Sequence, residues 1–381
     1  MTDPIDPIDP IVTFDIFLCD YSVTGIRSEN AENTVVIITG SCPPSASQSA
    51  NDTLGMIYRG PKNPNNTSGC SWDPVDSLGC ICRLPKIEGA ASAIFYGPNT
   101  TWFTPSLEGK IRVVGSYRLQ TGLNHGVMYT GPLTLAALDE KDNWKTIDMD
   151  PGVAGGAVAN TILHSNMGDL IVGNYDKSVA SVADGKFNAL IYNVLTKKYF
   201  DLKAVLQLDK SRLVTAYGIW KNKESKYPST AYTIAGGIKD ENAGRNIGFL
   251  VDFDPDSGTT SHPTEFPYDD APSHITHFEG ITKYGEEPTD YGPRYYSLAA
   301  TGDKDDDNRG AAFAVVERNP DNGSFVPAAD WQRVEGTSSP LITGNTVLEN
   351  NLFGIYTATC NTKPGIQSYV TENIPVDSND L

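Results

Sequence analysis

One unit recurs six times along this chain, and that repetition constrains the fold more than any single motif. The unit is an apolar strand carrying a small residue, a variable polar loop, and a second strand in which a small residue precedes apolar residues and often Tyr. Its fullest copies are IRVVGSYRLQTGLNHGVMYTGP (111–132) and LIVGNYDKSVASVADGKFNALIYNV (170–194). The others are 35–61, 232–254, 295–317 and 351–373, at a spacing of roughly 60 residues. Six such hairpins predict an all-β, six-bladed β-propeller with four-stranded blades, each copy supplying the two middle strands.

The outer strand follows most copies, as NWKTIDM (143–149), KYFDL (198–202) and DWQRVEG (330–336). None remains after the sixth copy. The segment IVTFDIF (11–17) has the same pattern, and is expected to complete the last blade and close the ring, because an open sheet edge invites unwanted pairing. The expected organisation is a disordered lead over 1–10, one propeller domain over 11–373 and a tail over 374–381.

Composition fits this architecture. Gly 35, Pro 25 and Tyr 18 supply turns and strand residues. A net charge of -18 disfavours nucleic acid and anionic membrane as partners, and no apolar run reaches the length of a membrane span. Of six cysteines, Cys19, Cys42, Cys70, Cys80 and Cys82 crowd the first quarter and Cys360 lies near the end. Cys80 and Cys82 are too close for a zinc pair, so disulfides are expected, with connectivity open. Glycosylation motifs occur at Asn51, Asn65, Asn66, Asn99 and Asn322. Together with the cysteines they predict a secreted protein. The acidic run Asp303 to Gly310 lacks the glutamate of a calcium loop and reads as a solvated hairpin tip, so no metal is expected.

Candidate site residues come from the inner strand preceding each copy. Aligned on Ile26, Ile94, Leu163, Ile219, Ile281 and Val347, these strands place Thr24, Ser92, Thr161, Tyr217, Glu279 and Asn345 in one polar column. Two residues earlier come Thr215, His277 and Thr343. Alternation puts both sets on one face near the strand start, where they form a polar collar at the channel mouth. Glu279 is its carboxylate and His277 its imidazole; these and Tyr217 are the candidate catalytic groups. Thr24, Ser92, Thr161, Asn345, Thr215, Thr343 and the nearby His274 are candidate substrate contacts. In a dry mouth Glu279 would serve as acid or base. No nucleophile elbow, phosphate loop or zinc motif occurs, and no cofactor is expected.

Val114-Gly-Ser-Tyr117 followed by His125-Gly-Val-Met-Tyr129 resembles the HAF-type repeats of bacterial extracellular proteins. A secreted, cysteine-containing six-bladed propeller of this length also resembles the fungal hetero-Diels–Alderases of tropolonic sesquiterpenoid biosynthesis. That resemblance implies a cofactor-free cycloaddition on an apolar, hydroxylated small molecule, with Glu279 or His277 assisting dehydration to a quinone methide. Two alternatives stay open. One is a carbohydrate- or small-molecule-binding propeller of lectin type, whose site should repeat in every blade. The other is a sugar-active hydrolase or lyase, hydrolysis requiring two carboxylates.

Overall fold

The computed structural model describes residues 12–13, 19–44, 52–62, 72–73, 78–120, 122–179, 182–240, 246–267, 276–305, 308–329, 331–334, 341–360, 363–374 and 376. Their strands form six antiparallel sheets, five on a four-strand path and that of blade one on the same path with the two-residue strand Trp72–Asp73 added at its outer edge. This is the strand arrangement of a six-bladed β-propeller. The blades' inner strands are Ser22–Ser28, Ala90–Asn99, Val158–Met167, Arg212–Lys221, Thr276–Thr289 and Ile342–Leu348. In the last sheet Val12 pairs with Val370 and Thr13 with Tyr369. The N-terminal segment thus supplies the outer strand of blade six, with the two-residue strand Val12–Thr13 falling inside the expected 11–17. Blade five departs from expectation. Its third strand carries two short partners, Phe325–Pro327 and Gln332–Val334, rather than one continuous strand from 330.

The contacts divide the chain into two compact units. One comprises residues 14–201 and 359–368 and holds blades one to three. The other comprises 1–13, 202–358 and 369–381 and holds blades four and five with the inner strand of blade six and most of the next. Within each unit neighbouring blades bury alternate strand residues against each other. Val113 packs with Ile37, Ile57, Phe95 and Trp144. The next residue, Val114, points the opposite way, among Met128, Leu163, Ile171 and Leu190. In the other unit Phe313, Val315, Val347, Leu352 and Tyr369 play the same part.

Every inner strand contains a one-residue bulge at an equivalent place. The bulged residues are Thr24, Tyr96 and His164 in blades one to three. They are Tyr217, Glu279 and Asn345 in blades four to six. The residue after the bulge is small or hydroxylated: Gly25, Gly97, Ser165, Gly218, Gly280 and Thr346. At Gly25 a methyl group would fall on the Tyr96 carbonyl oxygen, and at Gly280 it would lie 2.9 Å from the Thr346 Cα. Within each unit, adjacent inner strands therefore approach backbone to backbone just beyond the bulge at Gly25, Gly97, Gly218 and Gly280, and glycine is needed there for space.

A buried ion pair ties blades four and five. Arg318 and Asp252 are both fully buried and meet through two bonds of 2.7 and 2.8 Å. Arg318 also donates to the Thr233 and Tyr296 hydroxyls, and its guanidinium lies over the Phe325 ring at 4.3 Å. Burial opposes the charge, but Tyr296 and Asp252 outweigh it and hold the guanidinium above its ordinary pKa. Cys42 and Cys82 form a disulfide across blade one, with Cα atoms 6.0 Å apart. Cys19 and Cys80 are disulfide-bonded as well, which agrees with the preference for disulfides over a metal.

Two expected outcomes follow from this packing. Gly25→Ala should destabilise the protein by about 1–3 kcal/mol through backbone overpacking, read as a lower denaturant midpoint. Gly156→Ala, whose added methyl meets nothing within 4 Å, should leave the midpoint near wild type. The second outcome concerns tyrosine. Burial pushes the Tyr129 and Tyr296 phenols up to about 12, and that of Tyr369 higher still. The folded state holds these protons more tightly than the unfolded chain, so their contribution is complete below about pH 10 and declines as pH rises toward the folded values. The phenolate absorbance of these three buried tyrosines, read as the part lost in the Tyr129→Phe, Tyr296→Phe and Tyr369→Phe variants, should therefore appear together with loss of the β-sheet circular dichroism signal, rather than before it.

Candidate functional site

In the unit of blades four to six, the bulges bring three of the sequence candidates together. His277 Nε2 lies 2.6 Å from Glu279 Oε1. The Tyr217 ring stands against the His277 ring with centroids 5.1 Å apart. Glu279 is itself the bulged residue, which turns its side chain toward His277 two positions earlier. All three side chains are partly exposed. Asn345 occupies the equivalent bulge of blade six. The neighbouring hydroxyls are committed to backbone: Thr215 donates to the Gly237 carbonyl at 3.3 Å and Thr343 to that of Ile355 at 3.4 Å. Each hydroxyl thereby fastens its strand to the next and keeps its acceptor lone pairs. His274 lies outside the described residues.

The unit of blades one to three corrects the expected alignment. Ser92 and Thr161 do not occupy the bulge position; Tyr96 and His164 do, and their rings pack at 4.7 Å. Ser92 accepts from the Thr53 backbone N–H at 2.9 Å, and Thr161 from that of Met149 at 3.1 Å. Thr24 does sit at its bulge, but its hydroxyl donates to the Phe95 carbonyl at 2.6 Å and staples blade one to blade two. Ile94, placed with the deepest apolar residues, is only half-buried, because the true equivalent of Ile26 in blade two is Pro98. The missed signal was present in the sequence. The glycines Gly25, Gly97, Gly218 and Gly280 mark the position after the bulge and would have set the register.

Two clefts open in this unit. One, of about 290 Å³, is lined by Ser92, Ala93, Ile94, Tyr96 and Ile162, with the Thr53 and Ser116 hydroxyls. The other, of about 360 Å³, contains Thr161.

The glycosylation motifs divide. Asn99 is fully buried. Its Nδ2 donates to the Thr104 hydroxyl at 2.9 Å, so the folded protein has no room for a glycan there, contrary to expectation. Asn322 is exposed, and its Oδ1 accepts from the Ser324 hydroxyl of its own motif at 2.7 Å. Asn51, Asn65 and Asn66 lie outside the described residues.

Among the described residues no helix is long and apolar enough to cross a membrane, and no group of three or more His, Cys, Asp or Glu is placed to hold a metal. No protein-family model matches the chain, and no curated protein matches it. Solved structures similar to it include the Penicillium chrysogenum α-L-arabinanase in complex with arabinobiose, at 11% identity and a TM-score of 0.47, covering 95% of this chain and 99% of that one. A luciferin-regenerating enzyme aligns at 9% identity and TM-score 0.44, covering 95% of each. The N11 neuraminidase-like protein of A/flat-faced bat/Peru/033/2010 aligns at 10% identity and TM-score 0.45, covering 98% of this chain and 95% of that one. At that distance the likeness assigns neither substrate nor activity. What the fold defines is a class, the six-bladed β-propellers, with a partly exposed bulged residue on each inner strand.

Peptide mapping after expression in a glycosylating host should find Asn322 modified and Asn99 bare. A glycan on Asn99 in folded protein would contradict its burial.

Proposed function

We propose that the protein binds and acts on a neutral carbohydrate at the bulge residues of blades four to six, using Glu279 and His277 as a proton-transfer pair. The observation that carries this reading is the 2.6 Å contact between His277 Nε2 and Glu279 Oε1, backed by the Tyr217 ring. A hydrogen bond this short lets the pair share a proton and pass it to or from a bound oxygen. The side chains around it are hydrogen-bonding or aromatic, which suits a ligand with many hydroxyls and one C–H face. The net charge of -18 disfavours an anionic sugar. Hydrolysis would draw its second carboxylate from outside these inner strands.

A second reading, the cofactor-free cyclisation of an apolar hydroxylated molecule, is favoured by the smaller cleft of the other unit. Its Ala93, Ile94 and Ile162 side chains give an apolar wall beside hydroxyls, and orientation alone can drive such a reaction.

The test is a turnover screen against neutral oligosaccharides in parallel with apolar polyene and phenolic substrates. Glu279→Gln and His277→Asn should each lower kcat/KM on the responding glycan by about 10²-fold or more, with unchanged melting. Turnover only of the apolar substrates, or full activity in both variants, would sink the carbohydrate reading.

A further inference from the structure

The unit of blades one to three contains a second histidine–carboxylate pair. His125 Nδ1 lies 2.7 Å from Asp148 Oδ2. The other carboxylate oxygen, Oδ1, accepts from the Gly126 backbone N–H at 3.0 Å. Both Asp148 oxygens are thereby engaged, and the carboxylate is held rigidly. With neutral imidazole, Nδ1 then carries the proton it donates to Asp148, and Nε2 is left as the acceptor. The ring is clamped on one side by Tyr117, at 5.4 Å between centroids. The Tyr117 hydroxyl is in turn bonded to Thr146 at 2.9 Å. An imidazole fixed by a carboxylate and a ring is preorganised rather than merely present.

This pair lines the cleft of about 360 Å³, within the range that encloses small ligands. The His125 side chain keeps 26% of its surface exposed. Met149, Pro151 and Val158 give the cleft an apolar side, and Leu123 at its edge is 39% exposed. Tyr199 also lines it. Burial pushes the Tyr199 phenol up, and the nearby charges of Tyr192, Asp148 and Asp150 push it further, so the hydroxyl stays protonated. Among the described residues, no lysine or arginine lines the cleft. Asp148 and Asp150 repel an anion. Asp150 is occupied as well, its Oδ1 accepting from the Gly152 and Val153 N–H groups.

We propose that this cleft is a ligand site for a neutral hydroxyl-bearing ring, a monosaccharide unit, whose hydroxyl donates to His125 Nε2 and whose C–H face rests on the apolar side. The Tyr199 hydroxyl offers a complementary donor to a second ligand oxygen. The inference is independent of the reading of Glu279, which belongs to the other unit.

The test reads His125 directly, by long-range ¹H–¹⁵N spectra of the histidine rings, with the His125 signals assigned by their loss in His125→Gln. The probes are methyl glycosides of glucose, galactose, mannose and xylose. The free protein should show the Nδ1–H tautomer at His125, and at least one glycoside should move its Nε2 signal while leaving His262 in place. His125→Gln should weaken that glycoside about tenfold and Tyr199→Phe by several-fold, consistent with loss of one hydrogen bond each. Unchanged thermal melting of both variants separates this from unfolding. An Nε2–H tautomer, His125 signals unmoved by every glycoside, or a tighter response to tetramethylammonium than to any glycoside would each overturn the proposal.

Discussion

The close approach of neighbouring inner strands is the constraint on which the rest depends. Where Gly25 meets the Tyr96 carbonyl and Gly280 meets Thr346, there is no space for a side chain. That contact requires the chain to be displaced just before it, and the displacement is the bulge. A bulged residue cannot face the blade packing as its neighbours do, so its side chain stays partly exposed: Thr24, Tyr96, His164, Tyr217, Glu279 and Asn345 are all of this kind. The packing rule that lets six sheets repeat thus also creates one unpacked position per blade, and function can be placed there without disturbing the core.

This explains why some of the site was legible from sequence and some was not. The hairpins were readable because strand alternation and a small residue in each second strand recur: Gly40, Gly115, Gly173, Gly236, Ala300 and Gly354. In blades four and five the bulged residue precedes a glycine, so Tyr217 and Glu279 fell into register, and Asn345 followed. In blades two and three, Ile94 and Leu163 offered an attractive apolar anchor a few residues too early. Aligning on apolarity selected Ser92 and Thr161, which are hydrogen-bonded to backbone. Space at the strand crossing, not hydrophobicity, sets the register, and a pattern of apolar residues does not report space. The Asn99 motif failed for a related reason: a tripeptide says nothing about burial.

Charge is distributed with the same logic. Arg318 and Asp252 are wholly buried, and the two terminal guanidinium nitrogens are partnered by Asp252, Thr233, Tyr296 and the Gly323 carbonyl. Such a pair is costly to break because the remaining charge has no solvent. His262 approaches the same carboxylate at 2.9 Å, so one aspartate organises strands from both blades. These groups are committed to one another in the interior and hold the two blades together.

The two partly exposed histidine–carboxylate pairs are different in kind. Each has a tyrosine ring against the imidazole, Tyr217 at 38° to His277 and Tyr117 at 31° to His125. Yet the carboxylate takes opposite nitrogens, Nε2 in His277 and Nδ1 in His125. In the first pair the carboxylate stands two residues away on the same strand and is itself unpacked, so histidine and carboxylate can reach one ligand together. In the second the carboxylate is pinned by backbone, and only the far nitrogen of the imidazole is left for a ligand. The first arrangement suits proton transfer, where both partners must change protonation. The second suits recognition, where a fixed acceptor is worth more than a mobile proton. The difference follows from backbone geometry alone: a bulge frees Glu279, whereas the Gly126 amide holds Asp148.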